Sequence, residues 1–132
     1  MRIGEASRAS GLPSKTIRYY EEIGLLSSKR LTNGYRDYSA TDIQELCFLR
    51  RARDLGFSIE DCRSLVALHN NPQRASMDVQ RVARHRLAAI DQQLADLESM
   101  RKTLLDLVAD CPGDQSSDCS ILEGLEEAAA SR

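Results

Sequence analysis

The chain has 132 residues, 42% of them apolar and 29% charged, with no Trp and a formal net charge of −2. That length suits one modest domain, or a small domain with an extended appendage, and no apolar run approaches the roughly 18 residues a membrane span needs. The N-terminal MRIGEASRAS lacks the apolar stretch of a signal peptide, so a cytoplasmic location is expected, where the four cysteines stay reduced and a structural disulfide is a poor first assignment.

The first expected helix places Ile3, Ala6 and Ala9 at three-residue spacing and stops at Gly11. After the break GLP, Ser14 is expected to cap a second helix, SKTIRYYEEIG, that ends at Gly24. Two short helices around a tight turn outline a helix-turn-helix, a pattern many helical pairs share. Asn33-Gly34, between Leu31-Thr32 and Tyr35-Arg36, is the favoured pair for a two-residue hairpin. A small β-ribbon, or wing, presenting Lys29, Arg30 and Arg36 is therefore predicted.

Thr41 or Ser39 is expected to cap a third helix that turns Ile43, Leu46, Cys47 and Leu49 inward and ends at Gly56. Ser58-x-x-Asp61 is a variant capping box and opens a fourth helix, SIEDCRSLVALH. Asn70-Asn71-Pro72 breaks the pattern before the longest element. From about Ala75 to Ala109 there is neither Gly nor Pro, and apolar residues recur at Val79, Ala83, Leu87, Ile90, Leu94, Leu97, Leu104 and Val108. Steps of four and three, interrupted by Arg101, form a heptad seam on a helix of roughly 50 Å. Too few partner helices exist in one chain to cover it, so a homodimeric coiled coil is expected.

Charge is unevenly distributed. Residues 1–53 carry ten Lys/Arg against six Asp/Glu, whereas residues 104–132 carry Arg132 against seven acids. A basic front and an acidic back suggest a polyanion-facing end and a different task at the other.

The run Arg18-Tyr19-Tyr20-Glu21, then Gly24-Leu25, Arg30 and Gly34-Tyr35-Arg36 with Tyr38, resembles the signature of the MerR family of bacterial transcription regulators. Arg51-Ala52-Arg53 and Leu55-Gly56-Phe57-Ser58 continue it. The likeness runs through residues 1–70 and extends more loosely along the long helix to the C-terminal loop. That C-terminal part resembles the copper-responsive branch, whose paired loop cysteines share the seven-residue separation of Cys111 and Cys119.

The resemblance implies a mainly α fold in three parts. A winged helix-turn-helix DNA-binding head with a small β-hairpin wing would occupy residues 1–70, and a dimerisation helix forming an antiparallel coiled coil residues 75–110. A metal-binding loop with a short helix would occupy residues 111–132. It further implies a homodimer on double-stranded promoter DNA that serves RNA polymerase indirectly, by distorting the promoter rather than by enzymatic chemistry. The residue chemistry agrees. Lys15, Arg18 and Tyr19 share one face of the second helix; Arg18 suits a guanine edge or a phosphate, and Lys15 a phosphate. The family pattern favours Tyr19 over Tyr20 as a DNA contact, with Tyr35 and Arg36 of the wing holding the DNA backbone. Taken singly, these residues would also fit a solvated basic face with core tyrosines.

The cysteines divide into two pairs. Cys47 and Cys62 lie among apolar neighbours on helices and are expected to pack as small hydrophobes. Cys111 and Cys119 bracket the polar loop CPGDQSSDC. Four readings of that pair compete: a disulfide switch, part of an iron–sulfur cluster, a zinc site and a two-thiolate site. A cluster wants four cysteines and zinc four ligands, whereas the loop offers two Cys with Asp114 and Asp118; His69 and His85 are distant in sequence. Divalent sensors of the resembled family place a Cys near the start of the dimer helix, where this chain has Ser76.

Two soft thiolates suit Cu(I), and equally Ag(I) or Au(I). Ser120-Ile-Leu-Glu123 has capping-box spacing, so a helix N-terminus is expected beside Cys119, lending its positive end to the sulfurs. Ile121, Leu122 and Leu125 would then shield the site. The expected function is a metal-responsive transcriptional activator. Its rivals are a divalent or redox sensor using the same cysteines, a thiol-based metal chaperone, and a DNA-binding dimer with an inert loop.

Overall fold

The structure is a computed structural model that describes residues 1–27, 29–30, 36–117 and 119–130. The hairpin turn at Asn33-Gly34, the candidate Tyr35, the side chains of Lys29 and Arg30, and the loop residue Asp118 lie outside the described residues. Among the described residues six helices and one two-stranded antiparallel ribbon follow in the order α1 (Ile3–Ser10), α2 (Ser14–Glu22), β1 (Lys29–Arg30), β2 (Arg36–Asp37), α3 (Ala40–Asp54), α4 (Ile59–His69), α5 (Ser76–Asp110) and α6 (Ser120–Ala130). The chain divides into two compact units, Met1–Arg86 and Leu87–Arg132, with the boundary inside α5. No helix among the described residues is long and apolar enough to cross a membrane.

In the first unit α1 packs on α2 and α3, and α3 on α4. The turn between α1 and α2 is built by side chains as well as by glycine. Gly11 adopts the left-handed conformation (φ 77°) and donates its N–H to the Ser7 carbonyl. The Ser7 hydroxyl donates to the Leu12 carbonyl (2.6 Å), and buried Ser10 accepts the Leu12 N–H. Helix α2 is capped differently from the expectation. Pro13, in an extended conformation, is the N-cap and gives no side-chain cap bond, and Ser14 is the first helical residue. The carbonyl of Pro13 accepts the first N–H groups, from Thr16 and Ile17, and the Pro13 ring itself fixes the φ from which the helix departs.

Ser39, not Thr41, caps α3. Its hydroxyl accepts the Asp42 N–H (3.1 Å) while the Asp42 carboxylate accepts the Ser39 N–H (2.9 Å), a complete capping box. Ser58 caps α4 through the Asp61 N–H (3.0 Å). The core these helices enclose comprises Ala6, Leu12, Ile17, Tyr20, Leu25, Leu26, Tyr38, Leu46, Leu49, Ala52, Phe57 and Cys62. Between α3 and α4, Gly56 takes φ +83°, and a Cβ there would lie 2.2 Å from the guanidinium of Arg86. That side chain reaches from α5 to donate from Nε to the Leu55 carbonyl (3.0 Å).

Helix α5 has 35 residues, none of them buried. Within the second unit its Leu87, Leu94, Leu97, Met100, Leu104, Leu105 and Val108 are all more than half exposed. The heptad seam is therefore formed but uncovered in the isolated chain.

These features make the first unit's stability testable by urea unfolding. Ser39→Ala is expected to cost about 1 kcal/mol, and Leu46→Ala, at a fully buried position, about 2–5 kcal/mol. Both should shift the midpoint with little change in the denaturant slope.

Candidate metal centre and nucleic-acid interface

The face of α2 is sorted by its 3.6-residue period. Ile17 and Tyr20 are buried, whereas Lys15, Arg18 and Tyr19 project into solvent. Adjacent tyrosines point about 100° apart, and here Tyr19 is 48% exposed and Tyr20 4%. Burial pushes the Tyr20 hydroxyl up in pKa, partly offset by the nearby Arg53 guanidinium. Tyr20 therefore belongs to the core, and Tyr19 is the one available to a partner. At the end of α2, Arg63 of α4 donates to the Ile23 carbonyl (2.9 Å), fixing a backbone acceptor the helix leaves unpaired.

The wing candidate Arg36 is not simply solvated. Its Nε sits 2.6 Å from Oε2 of Glu21, with the two side chains 25% and 10% exposed. The other carboxylate oxygen of Glu21 accepts the hydroxyl of Tyr38. Sequence reading did not single out Glu21. It stood only as the last residue of the run Arg18-Tyr19-Tyr20-Glu21, beside the exposed carboxylate of Glu22.

In the second unit Cys111 follows the last residue of α5 and donates its N–H to the Val108 carbonyl (3.2 Å). Cys119 immediately precedes α6, and the Glu123 N–H donates to its carbonyl (3.2 Å), so it occupies the N-cap position. The two sulfurs are 3.9 Å apart, the Cys111 thiol donating to the Cys119 sulfur, and both residues are half-buried. That separation is far beyond a disulfide bond of about 2.05 Å. Two metal–thiolate bonds of about 2.3 Å each could bridge it.

The Cys119 thiol is held below its ordinary pKa, first by the Leu122 N–H, then by the Ile121 N–H and the Cys111 thiol, while desolvation and, more weakly, the Glu123 charge oppose the shift. These are the orphan donors of a helix start, turned onto sulfur. Ser120 does not complete the expected capping box. Its hydroxyl instead donates to the Leu107 carbonyl (2.9 Å) and so ties the start of α6 to α5. Gly124 continues the approach, since a Cβ there would come within 2.2 Å of the Leu107 side chain.

The wider donor set is small. Asp114 is exposed, and the Ser116 hydroxyl first, then the Ser116 N–H that its carboxylate accepts (2.8 Å), lower its pKa within the loop. His69 and His85 are exposed, and His69 stacks on Phe48 (ring centroids 4.8 Å apart). Among the described residues no group of three or more His, Cys, Asp and Glu could hold a metal. Ser76 is exposed as the first residue of α5.

Ile121 is half-buried, but Leu122 and Leu125 are exposed and do not shield the pair within the chain. Cys62 is fully buried, and burial raises its thiol pKa. Cys47 departs from the expected core position: it is half-buried and lines an open apolar groove of about 920 Å³ together with Phe48, Leu55, Phe57 and Leu65.

Comparison with known proteins places this geometry. The sequence profile of the MerR HTH family regulatory proteins matches residues 1–68, and a second profile, described as MerR, DNA binding, matches residues 43–107. The chain is 54% identical over 129 residues to the HTH-type transcriptional regulator HmrR of Rhizobium leguminosarum bv. viciae, covering 98% of this chain and 100% of that one. It is 47% identical over 126 residues to the HTH-type transcriptional regulator CueR of Escherichia coli O6:H1, covering 95% and 93%. Among solved structures, the transcription regulator PbrR691 of Ralstonia metallidurans CH34, in complex with lead(II), superposes with a TM-score of 0.82 at 30% identity, covering 95% of this chain and 98% of that one. The relatives named here are transcriptional regulators, and none is an enzyme.

The thiol electrostatics can be read in solution. Peptide-resolved alkylation of the reduced chain across pH should show Cys119 ionising at a pH below that of an unperturbed cysteine. In Glu123→Gln, which removes the opposing charge, the midpoint should move further down; an upward move would contradict the helix-start geometry.

Proposed function

Because the chain belongs to the MerR family of helix-turn-helix regulators, we propose that it is a metal-responsive transcriptional regulator that binds promoter DNA as a homodimer and is switched by a soft monovalent ion. Residues 1–70 form the DNA-binding head, residues 75–110 the dimerisation helix and residues 111–132 the sensor segment. The observation that carries the reading is the pair of loop thiols, 3.9 Å apart, with Cys119 on the N-terminus of α6.

Cys111 and Cys119 would hold the ion as thiolates. Cu(I), Ag(I) and Au(I) suit that donor set, because soft sulfur selects soft cations. Two thiolates and a +1 ion leave a net −1, which the backbone N–H groups at the start of α6 stabilise. The exposed hydroxyl of Ser76, at the position where divalent sensors of the family carry a Cys, supports the monovalent reading. A divalent ion keeps a rival claim on one observation: the similar PbrR691 structure is a lead(II) complex.

On the DNA side, Lys15, Arg18 and Tyr19 are the groups α2 offers to a groove, and Tyr35 and Arg36 belong to the wing. Lys15 and Arg18 are both cationic, so they position through phosphates, while Arg18 also has the fork to read a guanine. The uncovered seam of α5 supports dimerisation, since burying apolar surface of that extent is the main driving force for helix association in water. Activation by deforming a promoter requires that the ion bind the activating conformation better than the repressing one. A thiol-based chaperone would leave the basic face of α2 without a task.

Competitive equilibrium titration of the reduced dimer with Cu(I), Ag(I), Au(I) and Zn(II), combined with transcription from a promoter bearing a selected binding sequence, tests the reading. Cys111→Ser and Cys119→Ser should each abolish metal-dependent activation and leave DNA affinity within about twofold of wild type. Arg18→Ala should weaken DNA binding by about 1–3 kcal/mol at unchanged metal stoichiometry. Copper-dependent transcription that survives both Cys substitutions would defeat the sensing assignment.

A further inference from the structure

We infer that Glu21 is a positioning residue for DNA recognition, locking the wing strand β2 onto helix α2 through Arg36 and Tyr38, so that Arg36 acts as a strut rather than as an independent phosphate contact. The inference rests on the DNA-binding reading above and concerns how the two recognition elements are held in register.

The need for a lock follows from the ribbon itself. Among the described residues its strands are two residues each, paired as Lys29↔Asp37 and Arg30↔Arg36. A ribbon that short has no stability of its own. The orientation of the wing must come from whatever anchors its side chains. Tyr38, one residue past β2, is 1% exposed and sits in the core, and its N–H donates to the Met1 carbonyl (2.7 Å). Its hydroxyl donates to one oxygen of the Glu21 carboxylate, and Arg36 Nε lies 2.6 Å from the other. One carboxylate thus grips Arg36 on the strand and Tyr38 just past its end, with both oxygens engaged. Glu21 lies on α2 three residues beyond Arg18 and two beyond Tyr19, so it fixes the wing against the same short helix that carries the exposed recognition face.

The electrostatics point the same way. The Glu21 side chain is only 10% exposed, which makes its pairing with Arg36 costly to break on one side. An Arg already neutralised by a carboxylate at 2.6 Å adds little to counterion release. The usual signature of a phosphate contact, a loss of about 0.9 from the salt slope on removal, should therefore be missing.

The test uses the full-length dimer and a duplex that the wild-type chain selects from a random-sequence pool. DNA affinity is measured from low to high salt for wild type, Glu21→Gln, Arg36→Gln and the double variant, with thermal melting to confirm folding at the assay temperature. Glu21→Gln keeps an oxygen for the Tyr38 hydroxyl and so isolates the Arg36 arm; Tyr38→Phe isolates the other. The expected result is that both single variants weaken binding about tenfold and the double variant no further, as for two ends of one interaction. The salt slope should be unchanged in Arg36→Gln and in the double variant. Hydroxyl-radical protection of the DNA backbone on the wing side should fade while methylation protection of guanines in the major groove persists, a split that simple loss of folded protein would not produce. Additive losses, a slope that falls by about 0.9 in Arg36→Gln alone, or groove and backbone protection fading together would overturn the assignment. A wild-type chain that selects no sequence would instead remove the DNA-binding reading, and this inference with it.

Discussion

A helix of 35 residues with no buried side chain is the constraint on which the rest of this protein turns. Leu87, Leu94, Leu97, Met100, Leu104, Leu105 and Val108 are more than half exposed in the single chain, and water penalises apolar surface in proportion to area. Among the described residues of Leu87–Arg132 that seam is left uncovered, because α6, the other helix described there, has 11 residues and meets α5 at Ser120 and Gly124, beside Leu107. A second copy, as proposed, would resolve the problem, and the spacing of two DNA-binding heads would then be a property of one helix. Arg101, set among Leu97, Met100, Leu104 and Leu105, is the polar interruption in the seam. Such interruptions are a known means of fixing register in paired helices.

The loop between Cys111 and Cys119 gains its chemistry from its two ends. Cys111 stands where α5 stops and Cys119 where α6 starts, so the sulfur separation is set by two helix termini and not by the loop between them. The Ser120 hydroxyl on the Leu107 carbonyl and the close fit of Gly124 to Leu107 hold those termini together. The orphan N–H groups of Ile121 and Leu122 then favour the thiolate at Cys119. A soft cation bound there would meet donors already brought together, with little ordering left to offset.

Much of this was legible in the residues. Helix boundaries set by Gly11, Gly24 and Gly56 emerged because left-handed backbone tolerates few other residues. Ser39 and Ser58 announced α3 and α4 because a hydroxyl that accepts an N–H three residues on is a local interaction, complete within one turn. Two other caps misled. Ser14 was displaced by Pro13, whose extended backbone supplies the first helical acceptor, and the hydroxyl of Ser120 found Leu107, thirteen residues earlier. A distant carbonyl can outbid a local N–H, and spacing alone does not reveal which prevails.

By itself the sequence determined the elements, the basic face of α2, the seam of α5 and the pairing of Cys111 with Cys119 in one loop, since each depends on neighbours within a few turns of chain. Only the tertiary structure decided that Tyr20 is buried while Tyr19 is exposed, that Cys47 lines a groove while Cys62 is sealed, and that Glu21 grips both Arg36 and Tyr38. Those outcomes depend on which surfaces meet across 15 or more residues of chain, where packing and desolvation, not periodicity, choose the partner.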